Sequence, residues 1–304
     1  MRYIIKGPKV TWIDIINPTQ EDVKFLEKRF GFHHLVLEEL ISPGQRPKVE
    51  HHDYYLFLSL YYPFYDKEKR ETRGREIDII ATKDTLITSH YGSILPLKAL
   101  FDTCNLYEES RQTYMSATPG HLLYYILIGI LKNALTKLDQ IDTRIDEIER
   151  HIFGGKEREM VYEISLVKTD VINFVRILEP QKEILESLAK EGLVFWDHSQ
   201  ELEPYFEDIL GTYAQAWNIL KSHRETILAL EDTNQSLLTT KTNEIIRILT
   251  VFSVIVLPLT LIASIYGMNT TYLPFRGPAQ DFWIILSIMV GVTLGTVSYT
   301  HLRA

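Results

Sequence analysis

Cysteine is nearly missing from this chain, with Cys104 alone among 304 residues. A disulfide framework is therefore excluded, and a zinc cluster built on thiolates has too few ligands to form. Basic residues are in deficit, 32 Lys and Arg against 40 Asp and Glu, which leaves a formal charge of −8. Such a surface repels phosphate backbones, so nucleic acid is not an expected partner, while divalent cations are admitted. An apolar leader core is also lacking: Lys6, Lys9, Asp14, Glu21 and Asp22 punctuate the start of the chain, which places the N-terminus in the cytosol. Two stretches lack charge. Residues 248–268 and 282–302 are each 21 residues long and contain no Asp, Glu, Lys or Arg. No grouping of nucleophile, base and orienting acid emerges either, so an enzyme is not expected.

About 20 apolar residues cross a hydrocarbon layer of roughly 30 Å, so both uncharged stretches read as transmembrane helices. Lys241, Arg247 and Arg303 flank the outer ends of the pair, and Arg276 alone lies between. An excess of cations on one side predicts that both termini are cytosolic and that residues 269–281 lie outside. The charge is unevenly divided: residues from Asn243 onward carry +1 and the rest −9. A large acidic, water-exposed part is thus joined to a small membrane part.

Upstream, residues 1–115 read as a cytosolic α/β domain. Tyr54-Tyr-Leu-Phe-Leu-Ser-Leu60, Ile77-Asp-Ile-Ile80 and Thr85-Leu-Ile-Thr88 have strand-like composition. Thr19-Gln-Glu-Asp22 predicts a helix start and Gly31 its stop. Residues 116–203 read as a helical hairpin region, with Leu135, Leu138, Ile141, Ile145, Ile148 and Ile152 in steps of three and four. Gly154-Gly155 breaks this helix, and a second through Ile164, Val167, Val171, Phe174 and Leu178 is expected to return beside it. Leu122 to Leu131 is too short an apolar run to span a bilayer. Asp139, Asp142, Asp146, Glu147 and Glu149 form either the solvated face of the hairpin or a weak ion-collecting surface. His33-His34 and His51-His52 are adjacent pairs; on a strand such neighbours point to opposite faces, so they are read as solvated or packed rather than as metal ligands.

From Pro204, well suited to a first turn, a third helix is predicted to run through residues 204–268. At 1.5 Å per residue it would reach ~100 Å, becoming the first transmembrane helix at about residue 247. Thr250, Ser253, Thr260 and Ser264 fall within an arc of about 80° on a helical wheel. Ile246 and Leu257 lie in the same arc, with Leu249 and Gly267 at its edge. This stripe either lines a narrow water path with apolar constrictions or packs small polar residues against a neighbouring helix. In the second span Ser287, Gly291 and Gly295 form a small-residue face, and Phe282, Trp283 and Tyr299 stand near the ends as aromatic anchors. Several copies would be needed to enclose a pore. Asn269 would then form a ring of amide carbonyls at its outer mouth.

Asn243-Glu-Ile-Ile-Arg-Ile-Leu-Thr250, Leu257-Pro-Leu-Thr260 and Tyr266-Gly-Met-Asn269, followed by a C-terminal span, resemble the CorA family of divalent-cation channels. Gln45-Arg-Pro-Lys-Val-Glu50 and Tyr205-Phe-Glu-Asp208 extend the resemblance toward the N-terminus. It implies an α+β membrane protein assembled as a homopentameric funnel, with a cytosolic α/β domain, a long helical stalk and two C-terminal transmembrane helices. The implied function is magnesium uptake across the cytoplasmic membrane, gated by intracellular magnesium, with Co2+, Ni2+ or Zn2+ as other ions. Gly267, Met268 and Asn269 would be the selectivity filter. Ile246, Leu249 and Leu257 would be hydrophobic gate rings, and Asn243, Ser253, Thr260 and Ser264 polar pore positions. Asp208 would belong to a regulatory cation site between subunits, with Asp53, Asp78 and Asp84 as candidate partner acids.

Three departures stand out. The outer loop carries Arg276 where many family members carry an acid, residues 209–212 lack a further acid and histidine, and the chain ends at His301-Leu-Arg-Ala304 rather than in a basic tail. The last of these suggests an incomplete or altered C-terminus. Two alternatives remain open: a ZntB-like zinc transporter of the same fold, and a non-conducting membrane-anchored coiled-coil scaffold.

Overall fold

Six strands form one sheet in the order β1-β2-β6-β5-β4-β3, with ranges Arg2–Lys6 (β1), Thr11–Ile16 (β2), Lys48–His52 (β3), Tyr55–Asp66 (β4), Glu71–Ala81 (β5) and Thr85–His90 (β6). β2 and β6 run parallel and the other pairs antiparallel. This computed structural model describes residues 1–44, 46–66, 71–196, 199–268 and 281–302. The three strand-like runs fall in β4, β5 and β6. Residues 55–60 are buried without interruption, as expected of a strand covered on both faces.

Helices cover each face. α1 (Gln20–Phe30) and α2 (His34–Leu40) pack Leu26, Leu37 and Leu40 against Ile13, Ile15, Phe57, Ile80 and Ile87. The start of α1 is fixed as predicted: the Thr19 backbone N–H donates to Asp22 Oδ2 at 3.1 Å and the Thr19 hydroxyl at 2.8 Å. Gly31 closes α1 at φ 69°, a left-handed conformation that glycine adopts without Cβ strain. Then come α3 (Leu95–Leu106), α4 (Glu108–Met115), α5 (Pro119–Phe153), α6 (Glu157–Leu178) and α7 (Gln181–Phe195). α6 packs on β4 and β5, and α7 on β3 and β4. The heptad reading of α5 holds. Leu138, Ile141, Ile145, Ile148 and Ile152 are buried, while Asp139, Asp142, Asp146, Glu147 and Glu149 are all exposed. Leu122 and Leu131 are buried core residues. Gly154-Gly155 ends α5, with Gly155 at φ 88°.

Two expectations change. The last long helix, α8 (Ser199–Tyr266), begins one turn before Pro204 and runs unbroken through Pro204, Gly211 and Pro258. His33-His34 is not on a strand: His33 caps α2, its Nδ1 accepting from the Leu35 N–H at 3.3 Å, and the two rings lie 4.6 Å apart. His51 and His52 do sit on β3 and find different partners. His51 lies 3.1 Å from Glu191, whereas His52 stacks on Tyr55 at 4.3 Å.

The chain divides into two compact units, Met1–Asp232 and Thr233–Ala304, and α8 begins in the first and ends in the second. The second unit also contains α9 (Asp281–Leu302). Among the described residues, α8 alone holds a segment long and apolar enough to cross a membrane, and none of that segment is buried. The apolar stretch of α9, Phe282–Ser298, is shorter.

Within the first unit a polar row crosses the sheet, Lys48 opposite Ser59, Ser59 opposite Asp78, and Asp78 opposite Ser89. Asp78 is only 4% exposed, and burial, reinforced by the Glu76 charge, pushes its pKa up to about 7. In the folded state Asp78 therefore holds its proton over a pH range where the unfolded chain releases it. Its favourable contribution is complete below about 3.8 and lost as pH rises through about 7. Asp78→Asn is expected to flatten the fall in stability between these limits. Thermal midpoints of the detergent-solubilised chain measured from pH 5 to 8 test this, and parallel curves for variant and parent would contradict it.

Candidate ion pathway and cation site

Asn243, Ile246, Leu249, Ser253, Leu257, Thr260 and Ser264 lie on the C-terminal half of α8. Asn243, Ile246, Leu249 and Leu257 are exposed in the single chain, with Ile246 at 53%, Leu249 at 63% and Leu257 at 66%. Ile245, Ile248, Phe252 and Leu261 are exposed as well, while Val251, Ile255, Leu259 and Ile262 are half-buried, so apolar surface covers most of the helix circumference. Exposed surface of that extent requires lipid or other helices against it. The hydroxyls of Thr250, Ser253 and Thr260 donate back to the carbonyls of Ile246, Leu249 and Val256 at 2.7, 2.8 and 2.7 Å. Each hydroxyl hydrogen is thereby used within the helix, and the oxygen lone pairs remain as acceptors. Ser287, Thr293 and Thr296 on α9 bond back in the same way. The back-bonding alone therefore does not distinguish a pore face from a packing face.

The helix ends in a tightened turn. Gly267 N–H reaches the Ala263 carbonyl at 2.9 Å, and Met268 N–H the Ile265 carbonyl at 3.2 Å. A Cβ on Gly267 would stand 3.1 Å from the Ala263 oxygen, so glycine suits this close approach. Asn269 and the outer loop with Arg276 lie outside the described residues. Ser264 is exposed on α8.

Asp208 is exposed on α8 within the first unit. Its Oδ2 accepts from the Tyr124 hydroxyl of α5 at 2.7 Å. Desolvation, then the hydrogen bond to Asp208 and its charge, pushes the Tyr124 pKa up to about 12. Tyr124 is held in turn by Tyr205 at 4.8 Å between ring centroids, and Tyr205 by His121 at 4.9 Å. This aromatic group gives Asp208 one defined orientation. Sequence reasoning missed Tyr124, which stands in the apolar run LLYYIL and looked like a core residue. Among the described residues no group of three His, Cys, Asp or Glu in one chain could hold a metal ion. A cation at Asp208 thus needs ligands from water or from a second copy. Of the three candidate acids, Asp78 is buried inside its own sheet and unavailable to another copy, which corrects its candidacy. Asp53 and Asp84 are exposed, and Asp84 Oδ1 accepts from Thr82 and Thr85 hydroxyls at 3.0 Å each.

A family model described as CorA-like Mg2+ transporter protein matches residues 8–301. Over 291 residues the chain is 28% identical to a cobalt/magnesium transport protein CorA of Thermotoga maritima, covering 95% of this chain and 81% of that protein. The complete structure of the CorA magnesium transporter of Methanocaldococcus jannaschii superposes with a TM-score of 0.79 at 25% identity, covering 96% of this chain and 90% of that one. The ZntB cytoplasmic domain of Vibrio parahaemolyticus superposes at 0.62 with 13% identity, over 78% of this chain and 90% of that domain. That likeness is one of fold alone.

Proposed function

Because the chain belongs to the CorA-like Mg2+ transporter family, we propose that it carries magnesium inward across the cytoplasmic membrane as a homopentameric channel gated by intracellular magnesium. In this reading residues 1–115 and 116–203 form a cytosolic funnel, and residues 204–268 a stalk that becomes the first transmembrane helix at about 247. Residues 269–281 are the extracytoplasmic loop and residues 282–302 the second transmembrane helix, with both termini cytosolic. The observation that carries the proposal is the long helix α8, whose apolar segment is uncharged, has no buried residue and is striped with hydroxyls.

Magnesium gives up its water reluctantly and demands octahedral oxygen geometry at about 2.1 Å, so a dedicated protein cage is a poor means of moving it. Neutral acceptors suit the hydrated ion better. Amide carbonyls of Asn269 at the mouth, with Gly267 and Met268 shaping the turn, would select it through its water shell. The lone pairs of Ser253, Thr260 and Ser264, and the Asn243 amide near the cytosolic end, would receive those waters along the path. Ile246, Leu249 and Leu257 would close it by excluding water. Flux of magnesium, zinc, cobalt and nickel into proteoliposomes tests the proposal directly. Transport of zinc with exclusion of magnesium would favour the ZntB-like alternative, and no flux of any ion the scaffold.

Gating is assigned to Asp208. A cytosolic cation bridging it to an acid of another subunit would offset their repulsion and hold the closed arrangement. Asp208→Ala is expected to leave assembly and selectivity intact while shifting inhibition by internal magnesium to about tenfold higher concentration, within the usual size of such couplings. Tyr124→Phe should shift it in the same direction, less far, because the carboxylate loses only its orienting hydroxyl. Superimposed inhibition curves for parent and Asp208→Ala would remove Asp208 from the gating mechanism.

A further inference from the structure

A cavity of about 300 Å3 lies between the end of the β4–β5 hairpin and helices α5 and α6. Its lining carries two cations, Lys137 and Arg144, and two acids, Glu163 and Asp170. Lys137 lines it, half-buried, with its ammonium donating to the Pro63 carbonyl and standing 4.4 Å from the Tyr62 ring centroid. Among the described residues no carboxylate pairs with this ammonium. Burial, with the Arg75 guanidinium close by, pushes the Lys137 pKa down to about 8. A withdrawn cation without a counter-charge is costly in free energy unless an anion joins it.

The second cation in the cavity behaves differently. Arg144 Nη1 pairs with Asp170 Oδ2 at 2.7 Å, and Asp170, 1% exposed, also accepts the Thr72 backbone N–H on Oδ1 at 2.8 Å. Both Asp170 oxygens are therefore engaged, its charge is compensated, and Arg144 is held in place with donors to spare. Phe174 and Tyr65 supply ring surface in the same lining, and Glu163 offers acceptor oxygens for hydroxyl or amino donors.

We propose that this cavity is a binding site for a small organic oxyanion of the phosphate-monoester type. Lys137 and Arg144 hold its charged end, and its body lies along Phe174 and Tyr65. A mononucleotide has the size, the dianionic end, the planar body and the hydroxyl donors that these walls match. The site lies wholly within the first unit and does not rest on the transport reading.

The test uses the full chain in lipid nanodiscs, with calorimetric titration of adenosine monophosphate, inorganic phosphate and adenosine in magnesium-free buffer. Adenosine monophosphate is expected to bind best, and adenosine at least about tenfold more weakly, the loss of one charge-assisted contact. Lys137→Met keeps the aliphatic stem, removes the withdrawn charge, and should weaken the nucleotide by about tenfold or more. Lys137→Arg should retain binding. A readout specific to this amine is proton uptake: at pH 8.5 the bound anion restores the ammonium, so the parent takes up a proton on binding and Lys137→Arg does not. Absence of binding by both phosphate probes at millimolar concentration overturns the proposal, as does unchanged nucleotide affinity in Lys137→Met. Binding of adenosine as tight as that of its monophosphate would show that the rings, not the cations, carry the interaction, and would equally overturn it.

Discussion

Asn269→Ala is expected to abolish selective magnesium flux while the proposed pentamer still assembles. The residue follows the turn that ends α8 at Gly267 and Met268, beyond the apolar length of the helix, so the substitution removes no apolar surface from the spans. Its role in the proposal is to present a carbonyl oxygen to the water shell of the ion. A hydrogen bond of this kind contributes about 1 kcal/mol in net terms, and the substitution removes one from every subunit at once. Summed over the ring, the loss should lower selective flux by about a hundredfold or more. Asn269→Asp probes the other side of the balance: a charge on each subunit should strengthen binding, slow release and so reduce flux despite higher occupancy, since conduction needs sites weak enough to leave. The measurement is magnesium uptake into proteoliposomes, with assembly followed by size-exclusion chromatography. Parent-like magnesium flux through assembled Asn269→Ala would end the filter assignment.

What was legible in the sequence follows from the range of the interactions involved. The capping of α1 at Thr19 and Asp22, the Gly31 stop, the heptad face of α5 and its acidic outer side are set by neighbours within a turn or two, so periodicity and capping rules reach them. The uncharged apolar segment of α8 was legible for the same reason, because a run without charge needs no partner to be recognised. β2 was harder. It reads Thr-Trp-Ile-Asp-Ile-Ile with Asp14 in its middle, and this acid is tolerated at 4% exposure because the Thr88 hydroxyl donates to it at 2.6 Å and His90 stands 3.4 Å away, both on β6. Those partners lie more than 70 residues along the chain, out of reach of any local pattern. The end of the hairpin region was misjudged likewise. α7 and the early start of α8 at Ser199 depend on packing, with Phe206 of α8 and Trp196 close against Gly192 of α7.

The candidate cation site shows the same division. Asp208 was found from its motif, yet its orientation comes from Tyr124, which is 84 residues distant. The exclusion of Asp78 as a bridging acid comes from the sheet register that sets it between Ser59 and Ser89. Cys104, by contrast, needed no structure. It is a buried thiol whose pKa burial raises to about 11, and it is an inert packing residue.

Leu257→Asn is expected to raise resting magnesium leak by about tenfold or more if hydrophobic rings hold the closed pore dry. Leu257 lies one residue before Pro258 and one helical turn after Ser253, a donor to the Leu249 carbonyl. The same face therefore alternates leucine side chains with polar oxygens. Water in a narrow tube of leucine side chains loses hydrogen bonds that the walls do not replace, so the tube empties and a hydrated ion meets a barrier without any steric plug. An amide at position 257 supplies both donors and acceptors, wets the constriction and removes most of that barrier, while its similar size keeps the helix in place. Leu249→Asn should act in the same direction, because Leu249 is likewise more than half exposed in the single chain. A lipid-facing leucine would behave in the opposite way: asparagine there would expose an amide to hydrocarbon and reduce folding or assembly, with no gain in leak. Leak measured in proteoliposomes at high internal magnesium, beside the yield of intact pentamer, separates the two. Unchanged or lower leak in well-assembled Leu257→Asn would transfer the residue from the gate to the packing of the membrane helices.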